Sequence, residues 1–157
     1  MAQIFWIAYG GAAFYVTHKL NKDCSDKLGV SAVAHVASDT TLGYDPTQII
    51  PKVEAFALNA LKAAYAEPSA KRFVLCSSSW AASAPSMDKP PTVITEDTWE
   101  EDAVKAAWAE PPYLPDRIMA VYTASKVAAE KAVWKYHSER RGERPDLVVN
   151  AGKLICS

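Results

Sequence analysis

The apolar positions of this chain alternate between short runs and helical spacing, a pattern that predicts an α/β domain. Residues 30–36 form a short apolar run bounded by Gly29 and by a turn-like stretch at 39–45, as a buried strand would be. Pro46 suits the first turn of a helix, and Val53, Phe56, Ala57, Ala60, Leu61 and Ala64 continue that helix to about Tyr65. Pro68 and Ser69 break the pattern, and Arg72-Phe-Val-Leu-Cys76 then predicts a second strand running into Ser77-Ser78-Ser79. Strand, helix and strand at this spacing make a βαβ unit, whose crossover is expected to be right-handed.

Residues 81–114 are irregular, with prolines at 85, 90, 91, 111 and 112 and one short helix expected within 99–109. Excursions of this length in α/β domains often carry a site wall. Residues 116–141 read as a long helix rich in Ala, Lys and Glu, with Met119, Tyr122, Val127, Val133 and Trp134 as its apolar surface and Gly142 as its stop. A third strand is expected at 147–150. The apolar residues 4–16 are too few to span a bilayer and read as a buried strand or a disordered start.

Composition narrows the function classes. A chain of 157 residues, 50% hydrophobic, suits one domain with a real core. With 17 basic and 18 acidic residues and no basic tract, it offers no phosphate-tracking surface for nucleic acid. Cys24, Cys76 and Cys156 are odd in number and scattered, which fits a reducing, cytoplasmic compartment better than a disulfide framework. His18, His35 and His137 lie far apart, so no metal-ligand spacing is present. His35, inside a strand, reads as a core histidine. The scattered Trp80, Trp99, Trp108 and Trp134 read as packing, and the acidic run Glu96, Asp97, Glu100, Glu101, Asp102 as a solvated face.

The chemistry lies in Tyr122-Thr-Ala-Ser-Lys126. Residues four apart share a helix face, so this phenol and ammonium point to one neighbourhood. A free tyrosine, at a pKa of about 10, is a poor proton donor near neutrality, and a neighbouring ammonium favours the phenolate. Ser78 and Ser79 stand at a strand's carboxyl end, where open α/β sheets place ligands, and could hold a carbonyl oxygen. Hydride would have to come from a nicotinamide, because no side chain supplies one. Alone, Tyr-x-x-x-Lys also describes a packed aromatic beside a solvated charge.

The ordered set resembles the extended short-chain dehydrogenase/reductases, in particular the fungal NADPH-dependent aldehyde and ketone reductases. The segments that carry the resemblance are Gly29-Val-Ser-Ala-Val-Ala-His-Val-Ala-Ser38, Asn59-Ala-Leu-Lys-Ala-Ala64, Arg72-Phe-Val-Leu-Cys-Ser-Ser-Ser79, Tyr122-Thr-Ala-Ser-Lys-Val-Ala-Ala-Glu130 and Pro145-Asp-Leu-Val-Val-Asn150. The resemblance implies a partial Rossmann-like parallel sheet with flanking helices, lacking the usual first βαβ unit and the C-terminal substrate domain. It implies an atypical segment at 1–28, the NAD(P)-binding domain at 29–150 and a short tail at 151–157. It makes Tyr122 the proton donor, Lys126 its tuning partner and ribose ligand, and Ser78 the carbonyl-orienting serine, with Ser79 as runner-up. Ala37 and Ser38 would lie beside NADPH, and Trp80, Met87 and Tyr113 would line a pocket for a small carbonyl substrate.

The resemblance has gaps. Gly10-Gly11-Ala12-Ala13 is not the Gly-x-x-Gly-x-x-Gly turn that seats a pyrophosphate, and Phe56 stands where relatives commonly have glycine. A catalytically inactive fragment, or an incomplete gene model of such a reductase, is therefore the alternative to an active enzyme. A non-enzymatic module that binds through exposed sheet edges is a further one.

Overall fold

The computed structural model describes residues 5–7, 31–39, 41–84 and 93–152. Four strands, β1 (Phe5–Ile7), β2 (Ala32–His35), β3 (Arg72–Cys76) and β4 (Val148–Gly152), form one sheet. All pairings are parallel and the spatial order is the chain order. Three strands were expected from 30–36, 72–76 and 147–150. The fourth, β1, comes from the apolar segment at 4–16, where pairing to Val33–His35 selects the strand reading over the disordered one. Sequence alone could not decide this, since three apolar residues carry no periodicity.

Helix α1 (Pro46–Ala66) crosses from β2 to β3. Asp45 caps it, its side chain accepting the Thr47 N–H at 2.9 Å, and Pro46 occupies the first turn. Beyond β3 come a single 3-10 turn (Ser79–Ala81), α2 (Glu101–Ala107), a second 3-10 turn (Pro115–Arg117) and α3 (Ile118–Arg140). Among the described residues no helix is long and apolar enough to cross a membrane.

The register fixes which side chains share a face. Val33, Phe73 and Val149 are cross-strand neighbours, and so are His35, Leu75 and Ala151. These meet Val53, Ala57, Leu61 and Ala64 of α1 and Ala129 and Val133 of α3 in the main core. The opposite face is more open, and its Val148 is 49% exposed. The topology explains this asymmetry. When parallel strands are added in one direction, right-handed crossovers place their helices on one face.

The two helices meet through small residues. Alanines at 57, 60, 64, 124 and 129 are buried, while Met119 and Trp134, expected to supply apolar surface, are exposed. Small side chains let the helix axes approach closely, so the bulky ones are left at the rim. A second cluster, Ile50, Val121 and Ala124 with Ala107, seats α2 on the outer side of α3.

At the amino end of the sheet, Arg144 closes the structure. Its Nη1 donates to the carbonyls of Tyr65 at 2.8 Å and Glu67 at 3.0 Å, and its Nη2 to Ala70 at 2.6 Å. One guanidinium thus satisfies the orphan carbonyls after α1 and pins them to the approach to β4. Nearby, Tyr65 Oη and His137 Nδ1 lie 2.8 Å apart and join the C-terminal ends of α1 and α3. Arg144→Ala is expected to lower stability by about 2–4 kcal/mol in urea denaturation. Arg144→Lys should recover only part of that, because one ammonium cannot span the fork of carbonyls.

Candidate active site

Tyr122 and Lys126 lie on the first half of α3, at the carboxyl ends of β2 and β3. The Lys126 Nζ stands 5.8 Å from the centre of the Tyr122 ring, so the helical spacing does bring the pair together. Lys126 is buried, at 7% exposure. Burial lowers its pKa, while its interaction with Cys76 and then with Glu130 opposes that shift. Tyr122 is half-buried, and its hydroxyl makes no hydrogen bond to another described residue.

Lys126 shares a small cavity of about 10 Å³ with His35, Ala37, Cys76 and Ser77, floored by Val53 and Ala57 of α1. Ala37 therefore lines the same cavity as Lys126. Ser38 follows it, with its Oγ buried and without a hydrogen-bond partner. The serine cluster divides in two. Ser77 lines the Lys126 cavity, and its Oγ is buried and without a hydrogen-bond partner. Ser78 caps the following 3-10 turn, its Oγ accepting from the Trp80 N–H at 3.3 Å. Ser78 and Ser79 line neither the Lys126 cavity nor the hollow at Tyr122.

Sequence reasoning missed several neighbours. Asp39, Leu42 and Gly43, after β2, form a hollow with Ile118, Tyr122 and Ser125. Asp39 anchors that turn, accepting from the Thr41 N–H at 2.9 Å and pairing with Lys52 at 2.6 Å. Burial works against the Asp39 carboxylate, but hydrogen bonds from Lys52 and Thr41 outweigh it and hold its pKa at about 2. Leu42 takes a φ of 53°, a left-handed conformation that costs a non-glycine residue about 1–2 kcal/mol. A Cβ at Gly43 would come within 2.7 Å of Ile49 Cδ1, so glycine is the residue that fits this close approach. Asp39 and Gly43, turn formers four residues apart after β2, were the available signal.

Glu100 was also misread as part of a solvated run. It is 7% exposed, and its Oε2 accepts the Ala84 N–H at 2.8 Å. Trp80 and Tyr113 line neither Lys126 nor Tyr122, and Met87 lies outside the described residues, as do Gly10-Gly11-Ala12-Ala13 and Gly29. A larger cleft of about 610 Å³ opens between Ile94–Trp99, Trp134 and the end of β4, away from both side chains.

The donor set fits the ribose–nicotinamide end of a dinucleotide. A ribose diol and a carboxamide both donate and accept hydrogen bonds. The buried hydroxyls of Ser38 and Ser77 have no protein partner, and no hydrogen bond joins the Lys126 ammonium to a described residue. Two unsatisfied buried hydroxyls just beyond the ends of β2 and β3 are what such a ligand would engage.

The chain is similar to several known proteins. The chain is 47% identical over 123 residues to an NAD-dependent epimerase/dehydratase of Aspergillus terreus, covering 78% of this chain and 35% of that protein. It is 40% identical over 124 residues to an NAD-dependent epimerase/dehydratase of Aspergillus flavipes, covering 78% of this chain and 33% of that one. Aldehyde reductase 2 of Sporidiobolus salmonicolor is 35% identical over 123 residues, again covering 78% of this chain and 35% of the relative. The chain thus spans about a third of the length of the curated relatives it matches. A solved reductase structure superposes over 91% of this chain and 39% of its own, with a TM-score of 0.59 at 20% identity. A second solved structure superposes over 94% of this chain and 40% of its own, with a TM-score of 0.62 at 21% identity. No protein-family model matches the chain.

His35 supplies a test of the site's burial. Burial, and then the Lys126 charge, lower its pKa to about 4. The unfolded chain takes up that proton near pH 6.5 and the folded chain only near 4, so between these values the unfolded state binds more protons. Stability should therefore fall as pH drops through this window, by up to roughly 3 kcal/mol from His35. His137, also lowered, adds a slope of the same sign. Denaturation midpoints of the His35→Gln variant should show a flatter dependence between pH 4 and 6.5 than those of the parent.

Proposed function

Given that this chain has the extended short-chain dehydrogenase/reductase-like fold and is related to fungal NADPH reductases, we propose that it reduces an aldehyde or ketone to an alcohol with NADPH. The observation that carries this reading is the buried Lys126 ammonium 5.8 Å from the Tyr122 ring, at the ends of the strands. Bound NADPH would supply the hydride to the carbonyl carbon.

Tyr122 is the proton donor in this reading. Its phenol gives a proton to the carbonyl oxygen as the C–O double bond is reduced, and a phenolate remains. Lys126 stabilises that anion, and its low exposure strengthens the effect because little water screens the charge. Lys126 and Ser38 would hold the ribose, with Ala37 packing beside it. Ser78 is the proposed carbonyl-orienting hydroxyl. That role requires its Oγ to accept from Trp80 and still donate to the substrate, which a hydroxyl can do. Ser77, which lines the same cavity as Lys126, is a second hydroxyl at that strand end.

Titrating the purified chain with NADPH while following nicotinamide fluorescence tests cofactor binding. Saturable binding is expected, and its absence would overturn the reductase reading for this chain. With a panel of small aldehydes and ketones, Tyr122→Phe should lower turnover by about 10²–10⁴-fold while leaving NADPH affinity nearly unchanged.

A further inference from the structure

The connection from β2 to α1 carries a leucine where the backbone favours glycine. Leu42 has a φ of 53°, although a glycine stands next to it at position 43. Its side chain is 56% exposed, so burial in the core does not account for the strained placement. Leu42 lines a hollow of about 10 Å³, whose other walls are Tyr122, Gly43, Ile49, Ile118, Ser125 and Asp39. A strained residue retained beside a candidate catalytic side chain points to a role in that site.

The hollow suits a small apolar group. Leu42, Ile49 and Ile118 present hydrocarbon. The Ser125 Oγ donates to the Tyr122 carbonyl at 2.7 Å. Asp39, the one charged group among the lining residues, pairs with Lys52 at 2.6 Å and accepts the Thr41 N–H at 2.9 Å. Apart from the Tyr122 phenol, the polar side chains of the lining thus have partners, and a polar substituent would lose its water for little return. The volume is about that of one water molecule, which matches a methyl group and excludes a longer chain.

The turn that carries Leu42 is held in place. The Asp39 side chain is 2% exposed and is tied to Lys52 of α1. The backbone at Gly43 lies directly on Ile49, where an added Cβ would come within 2.7 Å of Cδ1. Ile49 in turn packs against both core clusters. The wall is therefore attached to α1 at two points.

We propose that Leu42 is a specificity-determining residue, which closes one side of the Tyr122 site and limits the carbonyl substituent on that side to hydrogen or methyl. The substrate class is then aldehydes and methyl ketones, with the larger substituent directed away from the turn. This assignment rests on the reductase reading of Tyr122, and the experiment separates the two.

With NADPH, kcat/KM is compared for 2-pentanone, which has a methyl group on one side, and 4-heptanone, which has a propyl group on both. The full chain should favour 2-pentanone by about tenfold or more. Leu42→Ala widens the hollow and should bring the two ketones toward parity, whereas Leu42→Phe narrows it and should enlarge the preference. Opposite shifts mark a wall that meets the substrate, because simple loosening of the turn would move both variants the same way. A parent chain without the preference, or variants that leave it unchanged or shift it in one direction, would overturn the inference while the reductase reading stands. If no carbonyl compound is turned over, the reductase reading falls and ketone binding decides. The chain is then labelled with ¹³C-tyrosine, the Tyr122 signal is assigned by its loss in Tyr122→Phe, and both ketones are titrated. A saturable Tyr122 shift at lower concentrations of 2-pentanone than of 4-heptanone, with the gap closing in Leu42→Ala, upholds the wall by itself. No shift, or a gap that Leu42→Ala leaves unchanged, overturns it.

Discussion

The structure turns on the burial of one cation. Lys126 is 7% exposed on a helix that must pack against the sheet, α1 and α2 at once. Around it, α3 buries nearly every position from 121 to 130, including Thr123, Ser125 and Glu130. Placing an ammonium there is expensive unless charge and hydrogen bonding compensate. Burial pushes Lys126 toward its neutral form, its interaction with Cys76 and then Glu130 opposes that shift, and the neighbouring His35 stays neutral. The fold and the candidate chemistry thus share one constraint.

Topology sets where that cation points. Four parallel strands added in chain order place their crossing helices over one face. The start of α3 then lies over the carboxyl ends of β2 and β3, where Ala37, Ser38 and Ser77 emerge. Small residues between α1 and α3 bring the helices close enough for Lys126 to reach that edge. At the far end, Arg144 gathers the carbonyls that α1 leaves unsatisfied, so the two ends of the layer have different tasks.

Much of the framework was legible in the chain. Arg72–Cys76 has the expected bounds, and α1 begins at Pro46 as its proline and cap imply. The long helix starts two residues after the expected 116, because Pro115–Arg117 winds as a 3-10 turn. The Tyr122–Lys126 pairing followed from spacing alone. The different surroundings of Ser77, in the Lys126 cavity, and Ser78, capping the next turn, did not, since their sequence is the same letter repeated. Glu100 reads in sequence as one of five solvated acids, but in the fold it is buried and accepts the Ala84 N–H from another segment.

Periodicity, capping residues and turn formers are local, so the sequence by itself determined the βαβ unit, the long helix and the tyrosine–lysine spacing. Burial of a polar side chain depends on atoms distant along the chain. Only the tertiary structure could therefore assign β1 to the sheet, bury Lys126 and Glu130, and set Ser77 in the cavity of Lys126 while Ser78 caps the next turn.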